Sequence, residues 1–155
     1  MQYWIMKSEP SVFGIDHLAK CKNQTEPWDG IRNYQVRNMI RDQMKPGDQA
    51  LFYHSNCKVP GIVGLMEIVS EPYPDPVASD PTHRYFDPKS NPDNPRWFLV
   101  EVKLMRKFVD TIPLSLLLET FALEGLKLLA KGNRLSITPV SPEHWQVLLE
   151  MEPRN

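Results

Sequence analysis

Two short runs of the sequence place an arginine among small and polar residues. Arg32 lies within residues 29–33 and Arg134 lies within residues 132–136, each with Asn, Ser or Gly close by. A guanidinium group, joined by neighbouring backbone and side-chain donors, is suited to hold a phosphate or the edge of a base. Both runs therefore predict contacts with nucleic acid, while a structural pairing of an arginine with Asp29 or Glu9 stays open.

Trp28 differs from the other tryptophans of the chain. Trp4, Trp97 and Trp145 lie within periodic apolar elements and are expected in the core, whereas Trp28 follows a proline in a polar loop. No apolar periodicity is available to bury it, so we expect Trp28 to be partly exposed in a cavity and to stack on a base. The alternative is a hydrophobic plug that closes one end of a barrel.

A catalytic site in this chain would have to be built around His54 and Cys57. Neighbouring residues on a strand point to opposite faces, so His54 is expected to diverge from Ser55 and to leave that hydroxyl without a base. The pairs His17–Cys21 and His54–Cys57 fall short of the four ligands of a structural zinc site. We therefore expect no catalytic residue, no metal and no cofactor.

The overall charge does not favour a polyanion. Eighteen Lys and Arg residues stand against nineteen Asp and Glu residues, for a formal net charge of −1. Binding of nucleic acid must then come from a local patch. Basic side chains lie on both sides of an acidic central stretch, and they would form a phosphate track if the fold brought them onto one face. They are Arg32, Arg37, Arg41, Lys103, Arg106, Lys107, Lys127, Lys131 and Arg134.

The apolar spacing predicts strands interspersed with short helices, which indicates a mixed α and β fold built on a small barrel. The proline-rich residues 72–95 cannot form a helix or a central strand, so we expect an ordered excursion or lid there. An inter-domain linker is the alternative. Strands are predicted at 2–7, 49–54, 62–69, 97–105 and 135–137, and helices from Ser11, at 32–44, 114–120 and 126–131, and after 141–142.

Length and cysteine content limit the class of protein. A chain of 155 residues is long enough for one core, so we expect one domain over residues 1–155. Two cysteines indicate a reducing compartment. The N-terminus lacks a signal-peptide pattern, and no run of about eighteen apolar residues occurs. We expect a cytoplasmic protein with no membrane association.

Four strings carry a resemblance to a known family. They are YWIMKSEP at 3–10, WDGIRNYQVRN at 28–38, FYHSN at 52–56 and RLS at 134–136. Together with PGIVG at 60–64 and YPDP at 73–76, they resemble the EVE domain family in order along nearly the whole chain. The departures, such as Ile31 and Val36, are conservative.

The resemblance implies an α+β fold, a PUA-like mixed β-barrel with short flanking helices. It is related to readers of a methylated base in RNA and of modified cytosine in DNA. The implied function is a non-catalytic nucleic-acid-binding domain that holds one modified base in an aromatic pocket, in the cytoplasm or, in a eukaryote, the nucleus. The residues implied to border that pocket are Lys7, Ser8, Trp28, Arg32, Asn33, Tyr53, His54, Ser55, Arg134, Leu135 and Ser136.

Two alternatives stay open at this point. One is an enzyme that acts on modified nucleic acid or on a nucleotide, which would need a reactive group that the sequence does not identify. The other is a protein-interaction module that uses the proline-rich excursion as its contact surface.

Overall fold

Strands and short helices alternate along residues 1–154, the part of the chain that the computed structural model describes. The strands are β1 (Tyr3–Ser8), β2 (Thr25–Pro27), β3 (Gln49–His54), β4 (Gly61–Ile68), β5 (Tyr73–Pro74), β6 (Phe98–Leu99), β7 (Glu101–Pro113) and β8 (Ile137–Val140). The helices are α1 (Pro10–Phe13), α2 (Ile15–Lys20), α3 (Tyr34–Asp42), α4 (Leu114–Glu119) and α5 (Pro142–Glu150). The predicted α+β class is confirmed.

One curled mixed sheet organises these elements. Within the described residues it has six strands in the order β2-β7-β4-β3-β1-β8, and β5 pairs with β6 in a separate two-stranded sheet. β1 and β3 are parallel, with Ser8 opposite His54. A parallel pair requires a crossover connection, and α1, α2 and α3 lie within that crossover.

The adjacent strands β1 and β3 carry buried residues on both faces. Along β1, Trp4 and Met6 belong to one apolar cluster and Ile5 belongs to another; along β3, Phe52 and Leu51 divide in the same way. This alternation follows from the two-residue period of a strand. The sheet therefore has a hydrophobic core on each side.

Different helices cover the two faces. Ile15 and Leu18 of α2 lie in the same core as Trp4, whereas Leu117 of α4 and Trp145 of α5 lie in the core with Ile5. Helices α1 to α3 thus follow β1 and cover one face, and the C-terminal helices cover the other.

The observed elements follow the predicted ones where the apolar pattern is long. β3 has the predicted bounds, and α3 lies inside the predicted 32–44. β2 is absent from the predicted strands, because a three-residue edge strand offers too short a pattern to detect. β8 begins at Ile137 and leaves 134–136 outside the strand, and the predicted helix at 126–131 is a single 3-10 turn at Lys127–Leu129.

The proline-rich residues 72–95 pack back onto the protein. β5 pairs with β6, and Asp75 accepts a hydrogen bond from Val77 N at 3.0 Å to begin the 3-10 turn Pro76–Ser79. Trp97 Nε1 donates to Asp87 Oδ2 at 2.6 Å. The excursion is ordered by these contacts, as the sequence predicts for a lid.

Within residues 1–154, no helix combines the length and the apolar character that crossing a membrane would require.

Candidate nucleic-acid interface

A cavity of about 640 Å³ opens at the end of the sheet where β1 and β3 finish and β8 begins, a size within the range of ligand-binding pockets. Lys7 and Ser8 come from the end of β1, Ser55 follows β3, and Ser136 precedes β8. The backbone fixes their spacing, because Lys7 N donates to Ser136 O at 2.8 Å and Ser55 N donates to Ser8 O at 3.0 Å. The pairing of β1 with β3 on one side and with β8 on the other brings these residues together.

Trp28 lines the cavity but is almost wholly buried. Its side chain lies edge-on to Phe52 and Phe13, with ring centroids 5.3 and 6.3 Å away, and the residue is only 7% exposed. Its backbone N–H donates to Val100 O at 2.8 Å. The expectation of a partly exposed Trp28 is therefore wrong: the loop is polar in sequence, yet it docks on the sheet and presses its tryptophan into the first core.

The proline-rich excursion supplies the opposite wall through His83, Arg84 and Tyr85. Tyr85 packs against Gly30, which has a φ of +78°. A Cβ at Gly30 would come within 2.7 Å of the Tyr85 ring, so only glycine allows both this backbone conformation and this contact.

Arg32 ties the Trp28 loop to the excursion. Its Nη1 lies 3.2 Å from Asp75 Oδ2, and its Nε donates to Tyr85 O at 3.0 Å. Asp75 also accepts from Gly30 N at 3.0 Å. The guanidinium is thus held by protein groups and does not line the cavity. Its acidic partner is Asp75, and not Asp29 or Glu9 as the structural alternative predicted.

Asn33 and His54 cap helices. Asn33 Oδ1 accepts from Val36 N at 3.0 Å and begins α3, and His54 Nε2 accepts from Ile15 N at 3.1 Å at the start of α2. Burial lowers the pKa of His54, which agrees with an imidazole that accepts a hydrogen bond. Neither side chain lines the cavity, because each is directed to a helix N-terminus.

Tyr53 and Leu135 are also directed away from the cavity. Tyr53 follows Phe52 on β3 and therefore points into the second core, and Leu135 packs against the first core. Of the residues predicted to border a pocket, the structure brings together on the cavity wall Lys7, Ser8, Trp28, Ser55, Arg134 and Ser136. It does not bring Arg32, Asn33, Tyr53, His54 or Leu135 there.

The predicted phosphate track does not lie on one face. Arg106 pairs with Glu152 beyond α5, whereas its neighbour Lys107 pairs with Asp16 on α2. Because α5 and α2 cover opposite faces of the sheet, Arg106 and Lys107 point in opposite directions, as adjacent residues of a strand do. Arg41 pairs with Asp42, its neighbour at the end of α3.

The cations that reach the cavity are Lys7, Arg84 and Arg134. Arg84 and Arg134 are exposed, whereas partial burial lowers the pKa of Lys7. The site thus has two solvent-facing guanidinium groups at its rim, whereas the Lys7 amine lies 5.8 Å from the centroid of the Tyr53 ring.

Three carboxylates share the cavity wall with these cations. Glu9 accepts a hydrogen bond from Asn56 Nδ2 at 2.8 Å, and Glu26 accepts one from Cys21 Sγ at 3.0 Å. Burial is the main cause that raises the pKa of Cys21 to about 11, and the hydrogen bond to Glu26 is the second. Burial, followed by the nearby charge of Asp75, raises the pKa of Asp29. A cavity that contains carboxylates is suited to donors such as amino groups as well as to anions at its rim.

Sequence reasoning missed the excursion wall and the acidic side of the cavity. A basic and aromatic trio, 83–85, stands inside an otherwise acidic, proline-rich segment, and this local departure in composition was the available signal. In the described part of the chain, no group of three or more His, Cys, Asp or Glu residues is arranged to hold a metal ion.

Comparison with known proteins identifies relatives along the whole chain. The model of the EVE domain family matches residues 2–151. Thymocyte nuclear protein 1 of Homo sapiens is 40% identical over 169 residues, which cover 98% of this chain and 74% of that protein.

Solved structures of similar proteins share the fold. The crystal structure of human THYN1 protein in complex with 5-methylcytosine-containing DNA superposes with a TM-score of 0.93 at 40% identity, covering 100% of this chain and 99% of that chain. A Pseudomonas putida protein superposes with a TM-score of 0.91 at 43% identity, covering 96% and 97% of the two chains. The sheet and helices described above are therefore the PUA-like fold that the sequence predicted, and the chain belongs to the EVE domain family.

Proposed function

We propose that this protein is a non-catalytic reader of a modified base in nucleic acid, with 5-methylcytosine in DNA as its first candidate ligand. The observation that carries the proposal is the close similarity to human THYN1 protein, whose structure is a complex with 5-methylcytosine-containing DNA. The cavity at the end of the sheet is the proposed base site, with Lys7, Ser8, Trp28, Ser55, Arg134 and Ser136 on its wall.

The energetics of a captured base fit this cavity. Leaving the stack costs a base a few kcal/mol, and stacking on an aromatic side chain returns about 1 to 3 kcal/mol. Phe13, Trp28 and Tyr85 are the aromatic residues on the wall. A buried methyl group adds about 0.8 kcal/mol, or roughly fourfold in affinity. We therefore expect a preference for the methylated base and not absolute specificity.

Arg84 and Arg134 are the proposed phosphate contacts. Both are exposed at the cavity, and neither forms an ion pair within residues 1–154. Arg32 and Arg37 are less suited, because Arg32 is bound to Asp75 and Arg37 donates to Arg96 O at 2.8 Å.

The contacts of His54 argue against its acting as a base for Ser55. Ser55 lies at the cavity, but the nearest histidine in sequence uses its Nε2 to accept from Ile15 N. A serine nucleophile requires an activating base within hydrogen-bond reach, and His54 is occupied elsewhere.

We also propose that residues 1–155 form one EVE domain, which works in the cytoplasm or, if its host is a eukaryote, in the nucleus.

A binding assay with matched duplexes tests the proposal. Fluorescence anisotropy would compare duplexes that differ only by one central cytosine or 5-methylcytosine, with the wild type, Arg134→Ala and the control Arg41→Ala, whose guanidinium is paired on the surface of α3. We expect a preference of a few fold for the methylated duplex, weaker binding for Arg134→Ala, and no change for Arg41→Ala. Equal affinity of the wild type for both duplexes would contradict a reader of 5-methylcytosine.

Mass spectrometry of the recovered duplex tests the absence of catalysis. After prolonged incubation with the protein, with and without added divalent metal, the methylated strand should retain its mass. A product that forms with the wild type and not with Ser55→Ala would favour an enzyme.

A further inference from the structure

We infer that Asp29 selects the captured base by its exocyclic amino group, so that the cavity accepts 5-methylcytosine and rejects thymine. The inference rests on the proposed function and assigns the specificity of the same cavity to one side chain. Asp29 is exposed and lies on the cavity wall beside Trp28.

The contacts of the three cavity carboxylates single out Asp29. Glu9 is engaged by Asn56, and Glu26 is engaged by Cys21. Within residues 1–154, no other residue donates a hydrogen bond to the Asp29 side chain, so its acceptors are free for a ligand. An acceptor without a protein partner is available to a donor on the base.

The backbone on both sides of Asp29 is fixed. Trp28 N donates to Val100 O at 2.8 Å, and Gly30 N donates to Asp75 Oδ2 at 3.0 Å. Tyr85 packs directly against Gly30. The carboxyl group therefore leaves the cavity wall from a fixed backbone, as selective binding requires.

The electrostatic surroundings favour a donor at this position. The side chain of Asp29 stays accessible to solvent, but partial desolvation by the surrounding protein, followed by the charge of Asp75, raises its pKa. An approaching N–H group therefore stabilises its charged form. Carboxylates pair with the N4 amino group of cytosine. Thymine carries the same 5-methyl group but presents a carbonyl oxygen in place of that amino group, so its lone pairs would face those of Asp29.

The test compares the two bases under equal conditions. Duplexes would carry 5-methylcytosine, thymine or no base opposite an abasic analogue, so that neither base has to break a pair before capture. We expect the wild type to bind the 5-methylcytosine duplex about tenfold more tightly than the thymine duplex. In Asp29→Asn, whose amide also donates to a carbonyl, and in Asp29→Ala, the ratio should fall below about twofold, because the carboxylate acceptors that discriminate between the bases are lost.

Asp42→Asn is the matched control, since it removes an exposed carboxylate that lies outside the cavity and pairs with Arg41; it should keep the wild-type ratio. Equal wild-type affinity for 5-methylcytosine and thymine, both above the duplex with no base, would overturn the role of Asp29 and leave base capture intact. Retention of the tenfold ratio in both Asp29 variants would overturn it as well. Equal wild-type affinity for all three duplexes would instead contradict base capture itself.

Discussion

Arg32 and Asp75 join two segments that are far apart in the sequence, with Nη1 and Oδ2 separated by 3.2 Å. The Asp75 side chain is fully buried and also accepts from the backbone of Gly30 and Val77. This cluster holds the Trp28 loop against the excursion that carries Tyr85. The two walls of the cavity are therefore positioned by one buried carboxylate.

Replacing Asp75 by Ala should destabilise the protein and open the cavity. Two backbone donors and a guanidinium would lose their shared acceptor, so we expect the free energy of unfolding to fall by about 1 to 3 kcal/mol. Urea denaturation measures this change. Asp42→Ala is the control, because its ion pair with Arg41 lies on the surface and its removal should change stability by less than about 0.5 kcal/mol. Equal effects of the two substitutions would show that the Asp75 cluster does not hold the loop.

Trp28→Ala should reduce both stability and affinity. The indole packs against Phe13 and Phe52, and truncation of such a buried aromatic residue costs about 3 to 5 kcal/mol. Trp28→Phe should recover most of the stability and part of the affinity, because a smaller ring still contacts both neighbours. Thermal melts and anisotropy on the same samples separate the two effects. A loss of stability with unchanged affinity in Trp28→Ala would favour a purely structural plug.

Binding should weaken with salt, and Arg134 should account for one phosphate contact. In Arg134→Ala the slope of log affinity against log salt should decrease by about 0.9. Arg37→Ala should leave the slope unchanged, because this guanidinium is bound to Arg96 O and lies 4.9 Å from the centroid of the Tyr34 ring. A salt-independent affinity of the wild type would exclude a phosphate backbone as the ligand.

Protonation of His54 should lower the stability of the protein as the pH falls from neutral to weakly acidic. Burial lowers its pKa from 6.5, so the unfolded chain takes up this proton more readily than the folded chain. The contribution of the hydrogen bond from Ile15 N is then complete above about pH 6.5 and is lost as the pH falls towards the folded pKa. His54→Gln, which keeps an acceptor that does not titrate, should show a smaller fall in Tm between pH 7.5 and pH 5.

His144→Gln is the control for that experiment, since the imidazole of His144 forms no hydrogen bond within the described residues. It should follow the wild type over the whole pH range. An identical fall in Tm for the wild type and His54→Gln would contradict the capping role of His54.

Sequence reasoning predicted the sheet better than the cavity. β3 and α3 have long apolar patterns whose period is set by their own geometry, so their positions could be read directly. Whether Trp28 is buried depends instead on the docking of its loop against Val100 and Phe52, a tertiary contact that no local pattern encodes.

The same distinction between local pattern and tertiary contact separates the site residues that the sequence could place from those that it could not. Ser8, Ser55 and Ser136 meet because β1, β3 and β8 are neighbours, which follows from the topology. Arg32 has the residue type of a phosphate contact, but its partner Asp75 lies 43 positions away in the sequence. The contribution of Tyr85 to the cavity depends on that same long-range pairing and could not be read from the proline-rich segment alone.

The most direct test of the account is to locate the modified base in the complex by photo-crosslinking. A duplex that carries 5-iodocytosine at the central position places a photoreactive group where the methyl group would be. After irradiation, mass spectrometry of the digested complex should find the crosslink at Phe13, at Trp28 or within residues 83–85. Competition with the 5-methylcytosine duplex should suppress it. Crosslinks found only elsewhere, for example at the exposed Phe121, would contradict the proposal that the base enters this cavity.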